Sequence, residues 1–306
     1  MAQKIIVQPN EWSAPQQRFK YATELEAGNI LFFPTTPFQF PKAEIDFLLH
    51  QRQSASSMRK NIAYKPDMDR ISNHDASDPV AAERMREILR NYSARVTAFL
   101  STLLVPYANA WKHDYASFRP FQEKGRPLRV RARNDLLHVD SFPTRPMHGA
   151  RILRFFTNIN PTESRRWMTT LPFGELAQKF GGPQGVPFPR STELGFRAGL
   201  YRMFKKLTKQ PIRSPYDVFM LNLHNFLKEN GQFQEQCPKD HWEFPPGSCW
   251  AVFTDMVSHA ALSGQYALEQ TFIIPKRALL RPELAPVSIL ERLAQRNMVD
   301  PMEAQV

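Results

Sequence analysis

The hydrophobic pattern of this chain changes period part-way along, and that change limits the folds open to it. From Val80 to Ala110, apolar residues such as Met85, Ile88, Leu89, Val96, Leu100 and Leu103 recur at three- and four-residue steps. That is the pattern of a long amphipathic helix. From Leu128 the step becomes two: Leu128, Val130 and Ala132 alternate with Arg129, Arg131 and Arg133, as in a strand with one buried face. Ala150 to Ile159, Cys249 to Thr254 and Tyr266 to Ile274 predict further strands, broken by the Phe244-Pro-Pro-Gly turn and a loop at Gly264. Helices are few beyond Leu128. Gly174 to Phe180 suits a short one, and Ser214-Pro215 is a good start for another that stops at Gly231. A last helix is expected from Val287 to Met298, and an early one from Ala43 to Gln51. The first forty residues read as irregular or strand-like, and Met58 to Pro79 reads as loop. Strands that do not alternate with crossover helices argue against a parallel βαβ sheet. The expected class is mainly β with α support (α+β), an antiparallel jelly roll with N-terminal and inserted helices. We expect a single domain over 1–306, with 1–117 mostly helical support, 118–275 the roll and 276–306 a helical tail.

No apolar run reaches the roughly 20 residues of a membrane-spanning helix, and the N-terminus lacks the apolar stretch of a secretory signal. Cys237 and Cys249 match no metal or redox spacing and suit a reducing compartment. A cytoplasmic protein is the expectation. The net charge of +11 calls for an anionic partner. Six bases and one acid lie between Phe118 and Asn134, and seven bases with Glu193 lie between Arg190 and Arg213.

His138 and Asp140 stand two apart, so on a strand they share one face, close enough to chelate one ion. A regular strand from Leu128 puts them on the inward face, and a bulge at Asn134-Asp135 would swap the faces. One carboxylate and two imidazoles on one side of Fe(II) leave open positions for O2 and an organic co-substrate. The third ligand is expected at His259, 121 positions beyond His138, where a tight turn and a strand end bring a late strand against an early one. His241-x-Glu243 has the same spacing but lies too near His259 to come from the opposite side of a roll. His148 reads as loop, His224 as mid-helix, and His50, His74 and His113 belong to the helical half or its loops. All six are expected to be structural or surface residues.

Three long segments are familiar: LHVDSFPTRPMHGARILRFFTNINP, YDVFMLNLHNFLKEN and EFPPGSCWAVFTDMVSHAALSGQYALEQTFIIP. They resemble, in order, the 3-deoxy-D-manno-octulosonic acid (Kdo) 3-hydroxylases of Gram-negative bacteria, members of the Fe(II)/2-oxoglutarate dioxygenase superfamily. The resemblance covers about Arg119 to Pro275. It implies a double-stranded β-helix, hydroxylation at C3 of the Kdo sugar of Kdo-lipid A to give Ko, and consumption of 2-oxoglutarate and O2. It also implies His138, Asp140 and His259 as the iron ligands.

The far carboxylate of 2-oxoglutarate needs a cation, best an arginine fork. Many members of the superfamily carry it about ten positions after the distal histidine, where this chain has Glu269. Others carry it on the strand after His-x-Asp, so Arg154 is the first candidate, with Arg151, on the opposite face, Arg119 and Arg133 as the alternatives. Asn158, Gln270 and Thr271 are candidates for added hydrogen bonds. Arg119, Arg133 and Arg145 are candidates for the anionic groups of the sugar and lipid. The stretch from Arg197 to Leu207 mixes bases with Leu200, Tyr201, Met203, Phe204 and Leu207. It suits an anionic membrane surface, so peripheral attachment to the cytoplasmic face of the inner membrane is expected. No nucleic-acid partner is expected. Two alternatives stay open: a 2-oxoglutarate hydroxylase of another small molecule or lipid, and a non-enzymatic cupin-like binder of an anionic lipid or nucleic acid.

Overall fold

The computed structural model describes residues 1–12, 14, 17, 19–51, 61–75, 77–189 and 212–300. Residues 52–60, which include the start of the expected loop from Met58 to Pro79, and residues 190–211 of the basic run lie outside the described residues.

The long helix forms as its pattern requires. α3 (Pro79–Leu103) starts at Asp78, whose carboxylate accepts the Ala81 N–H at 2.9 Å, with Pro79 in the first turn. It stops at Leu104, earlier than Ala110, because Pro106 cannot continue the ladder. Its stripe of Met85, Ile88, Leu89, Tyr92, Val96 and Leu100 is fully buried or nearly so. Fully burying such side chains contributes roughly 1.5–3 kcal/mol each.

What α3 covers is one face of an eight-stranded sheet. In sheet order the strands are β1 (Lys4–Ile6), β2 (Ile30–Phe33), β9 (Cys249–Phe253), β6 (Arg151–Asn158), β11 (Ala267–Ile274), β5 (Lys112–Arg119), β3 (Ile62–Lys65) and β4 (Arg70–Ser72). β1 pairs in parallel with β2; every other neighbouring pair is antiparallel. A second, three-stranded sheet runs β10 (Val257–Ser263), β7 (Arg165–Pro172) and β8 (Asp240–Phe244). Strand parity then divides the core. Leu153 and Phe155 of β6 point outward to α3, together with Phe33, Phe118 and Leu268. Phe156, on the other face of β6, packs inward with Trp167, Phe244 and Trp250 between the two sheets.

Among the described residues the remaining helices are α1 (Lys20–Glu26), α2 (Lys42–Leu49), α4 (Phe173–Phe180), α5 (Pro215–Glu229), α6 (Gly231–Gln236) and α7 (Pro286–Ala294). α5 begins at Ser214 in a capping box with Asp217. Among the described residues no helix is long and apolar enough to cross a membrane. Both cysteines are buried free thiols.

Two expectations are corrected. The segment 1–117 is not mostly helical support: β1 to β4 and most of β5 belong to the larger sheet. β1 to β4 have three or four residues each, too short to display alternation. The alternating segment from Leu128 is not a strand either. Val130–Ala132 is a 3-10 turn, and Val130 is 44% exposed. Its arginines look for acids rather than an outer face: Arg131 pairs with Glu229 of α5 and Arg133 with Asp135. Lys228 of α5 also donates to the Arg131 carbonyl at 3.2 Å, so this turn is bound to the end of α5.

Candidate active site

After the bend over Asn134–Leu136, the chain runs antiparallel beside β10. Ala261 N–H donates to Asn134 O at 2.8 Å, His138 and His259 exchange both backbone hydrogen bonds at 3.1 and 2.9 Å, and Asp140 N–H donates to Thr254 O at 2.8 Å. This short pairing keeps His138 and Asp140 on one side even though no regular strand contains them. It also places His259 opposite His138. The three side chains are buried, and one ligand atom from each lies within 4.8 Å of the others.

The imidazoles are set for a cation. His138 Nδ1 lies 2.7 Å from Leu136 O, and His259 Nδ1 lies 2.8 Å from Val257 O. A carbonyl only accepts, so each Nδ1 carries the proton and each Nε2 keeps its lone pair. Burial, then the Lys228 ammonium, push the His138 imidazolium well below its usual range. Burial lowers His259 as well. For Asp140, burial favours the neutral acid, but the Arg154 guanidinium, with the facing His138 and His259 rings, together outweighs it and holds the carboxyl well below the usual range. His138 Nε2 and Asp140 Oδ1 thus face each other 3.6 Å apart with lone pairs on both, and Asp140 Oδ2 has no hydrogen-bond donor. A divalent cation between them satisfies all three residues at once.

A cavity beside the triad is walled by Arg119, Arg154, Arg165 and Trp167, with Asn134 and Phe156. The arginines come from three strands: Arg119 ends β5, Arg154 is central in β6, and Arg165 begins β7. Each is held by buried acid. Glu269 accepts from Arg119 at 2.6 Å and lies 3.3 Å from Arg154, which also lies 3.3 Å from Asp140. Glu123 lies 3.2 Å from Arg165 and 3.3 Å from Arg119. Three buried donors of this wall find no acceptor: Arg154 Nε, Arg165 Nε and Trp167 Nε1. Buried donors in native proteins nearly always have a partner, so the wall suits an acceptor-rich, anionic guest. Trp167 also stacks on His259, with ring centroids 5.0 Å apart and a 20° interplanar angle.

Other expected residues fall elsewhere. Arg151 points to the outer face, fully buried, where it pairs with Asp255 at 2.8 Å and covers Phe253, so it does not reach the cavity. Asn158 shares Arg154's face but donates to the Glu163 and Phe244 carbonyls, a clamp on the strand end. Gln270 is on the outer face and donates to Asp114 O and Thr271 O. Thr271 is the register partner of Arg154, and its hydroxyl turns to Glu269 at 3.4 Å. Arg133 serves Asp135 outside the cavity. Arg119 lines the cavity itself, and Arg145 stands behind Phe142.

His224 is not a remote structural residue. Its ring meets His138 edge-on at 5.0 Å, and its Nδ1 donates to Val139 O at 2.7 Å. His224 and Lys228 are four apart, so both face the segment carrying His138 and Asp140 from α5. Burial pushes the Lys228 ammonium down to about 8. Arg165 and Trp167 were missed because β7 went unrecognised; the alternation of Arg165, Trp167 and Thr169 was the available signal.

A family model described as 3-deoxy-D-manno-oct-2-ulosonic acid (Kdo) hydroxylase matches residues 8–297. The fold is similar to crystal structures of the Kdo hydroxylase KdoO, described as a non-heme Fe(II) alphaketoglutarate-dependent dioxygenase. Its complex with cobalt(II) aligns with TM-score 0.85 and 33% identity over 97% of this chain and 98% of that one. Its complex with alphaketoglutarate and Fe(III) aligns with TM-score 0.83 and 33% identity over 96% and 97%. Comparison with curated proteins finds no match.

Proposed function

The chain belongs to the Kdo hydroxylase family and is an Fe(II)/2-oxoglutarate-dependent dioxygenase; from this premise we propose that it hydroxylates C3 of the Kdo sugar in Kdo-lipid A, giving Ko. His138, Asp140 and His259 hold the iron. Bound there, Fe(II) with 2-oxoglutarate and O2 supplies the oxidant that replaces a C–H bond of the sugar by C–OH, while 2-oxoglutarate leaves as succinate and CO2.

The protein's part is to bind, orient and exclude water. The two backbone carbonyls fix the imidazole tautomers, and Arg154 keeps Asp140 ionised. Arg154, Arg165 and Trp167 receive the far carboxylate of 2-oxoglutarate, with Arg119 and Glu269 holding the guanidiniums in place. The observation that carries this reading is the convergence of three unpartnered donors on the same cavity as the triad. A non-enzymatic binder would need no such pairing of a cation site with an anion site.

Two experiments test it. Anaerobic Fe(II) plus 2-oxoglutarate should give a weak visible charge-transfer band that His138→Ala abolishes. Incubation of Kdo-lipid A with Fe(II), ascorbate and 2-oxoglutarate should add one oxygen, located on the sugar by mass spectrometry; no gain would remove the substrate assignment. We propose further that the enzyme works against the anionic face of the inner membrane, in keeping with its net charge of +11. The bases Lys205, Lys206 and Lys209 are the natural contacts. Their replacement by Glu should weaken sedimentation with anionic vesicles, and unchanged sedimentation would refute membrane contact by this run.

A further inference from the structure

A second cavity, of about 260 Å³, opens on the same inner face of the larger sheet, one step along from the arginine cluster. Its floor is the start of β5 and the end of β11. Pairing of these strands slips between Gln270 and Phe272: Ala116 faces Gln270, but His113 faces Phe272. Two residues of β5, Asp114 and Tyr115, therefore oppose the single Thr271. Such a bulge re-aims side chains beside a site. Here it sends Asp114 and Tyr115 together toward Arg145. The Arg145 guanidinium pairs with Asp114 and lies between the Tyr115 and Phe142 rings, 4.2 Å from each centroid. Phe142 is the partition, because Arg154 lies 5.3 Å from the centroid of the same ring.

The register gives the separation. Thr271 is the partner of Arg154, and Ile273, which lines the second cavity, is two residues further. At about 3.3 Å per residue the cavity begins roughly 7 Å along the strand from Arg154. Two more cations line it, Lys65 and Lys112, and among the described residues neither side chain makes an ion pair or a hydrogen bond. Asp67 and Asp114 supply carboxylate acceptors in the same wall. Cations for an oxyanion, carboxylates for hydroxyl donors and an aromatic edge are the mixed set that an acidic saccharide needs.

We propose that this cavity is the acceptor subsite: Lys65, Lys112 and Arg145 bind an oxyanion of the acidic saccharide and so aim its oxidisable carbon past Phe142 toward the metal. The inference rests on the proposed function for the identity of the acceptor. The oxyanion is either the sugar carboxylate or a phosphate of the lipid saccharide, and the test separates them.

The variant is Lys65→Glu/Lys112→Glu, which alters two side chains that make no ion pair or hydrogen bond among the described residues and leaves Arg145 in place. With Kdo-lipid A as acceptor, KM should rise at least about ten-fold, as for loss of a charge-assisted contact. KM for 2-oxoglutarate and the visible band of the Fe(II)–2-oxoglutarate complex should not change. The measurement is repeated with dephosphorylated acceptor and with acceptor methylated at the sugar carboxylate. The modified acceptor whose KM no longer responds to the substitution identifies the oxyanion. An unchanged acceptor KM, a parallel rise in KM for 2-oxoglutarate, or an equal response with both modified acceptors would overturn the proposal. If wild-type enzyme consumed 2-oxoglutarate without oxygenating Kdo-lipid A, it is the substrate assignment that would fail, a distinct outcome.

Discussion

Replacing Glu269 by glutamine is the sharpest test of how charge is arranged around the co-substrate cavity. Glu269 is 3% exposed, accepts two hydrogen bonds from Arg119, and lies 3.3 Å from Arg154. Burial pushes its carboxyl up, but Arg154 and then Arg119 more than offset this and hold it below the ordinary glutamate value. Glutamine keeps the shape and removes the charge. Two buried arginines, Arg119 and Arg165, and the half-buried Arg154 then face two carboxylates, Glu123 and Asp140. Removing one partner of a buried pair costs about 3–5 kcal/mol. An unfolding entropy of about 2.1 cal/mol/K per residue gives roughly 0.6 kcal/mol/K for 306 residues. The metal- and co-substrate-free variant should therefore melt about 5–8 °C below wild type. 2-Oxoglutarate brings two negative charges into the same cavity, so it should recover more than half of that deficit, and the variant should bind it more tightly. Thermal unfolding with Co(II) as a redox-inert stand-in, with and without 2-oxoglutarate, reads both effects. A variant as stable as wild type, or one whose deficit is the same with and without 2-oxoglutarate, would refute the reasoning.

Arg165→Lys keeps the charge but loses the fork, and should weaken 2-oxoglutarate binding by about 10–100-fold, with metal affinity unchanged by titration calorimetry. Gly264 has φ +117°, and a Cβ there would come 2.9 Å from Arg165 Cα; Gly264→Ala should cost about 1–3 kcal/mol in urea unfolding and weaken 2-oxoglutarate binding by displacing Arg165. The Glu123 carboxyl is pushed up by burial but held below its ordinary value of 4.5 by Arg165, Arg119 and Arg126. Its contribution to stability is complete above 4.5 and lost as pH falls through the lower folded value, so Glu123→Gln should flatten the acid limb of the stability curve below that point. An acid limb as steep as wild type's would contradict this.

The shared side of His138 and Asp140 was legible because its determinants are local. A spacing of two puts His138 and Asp140 on one side in any extended backbone, paired or not, so that inference survived the loss of the strand it was based on. The strand itself was misread because alternation reports burial only if a partner surface exists. Leu128 and Ala132 are only half-buried and Val130 is exposed, on a turn tied to α5 rather than a strand packed on a sheet, and Arg131 and Arg133 are drawn to Glu229 and Asp135. β10 was read as loop, yet it is the strand that carries His259. Its sequence, VSHAALS, is buried on both faces over its first five residues, so it shows no alternation. The arginine cluster was only partly legible, since Arg119, Arg154 and Arg165 lie on three strands and meet only through sheet closure. No single-strand pattern encodes that meeting.

Glu269 explains why the co-substrate arginine was hard to assign. At the place where many members of the superfamily carry a cation, this chain has the opposite charge, which by itself argues against an anion site. The sheet order reverses that conclusion. β11 lies between β6 and β5, so Glu269 has Phe156 on one side and Ser117 on the other, and Arg154 and Arg119 each lie one diagonal step away. Diagonal neighbours in a sheet are within reach of long side chains. A lysine or arginine at 269 would repel both; a glutamate draws both toward the cavity and fixes their forks. In the proposed site the cations stand on the two flanking strands, with the acid at 269 as their anchor. Glu269→Arg without compensation should therefore abolish 2-oxoglutarate binding rather than restore the common arrangement. Retained binding in that variant would show that position 269 can carry the cation directly and that the two flanking arginines are dispensable.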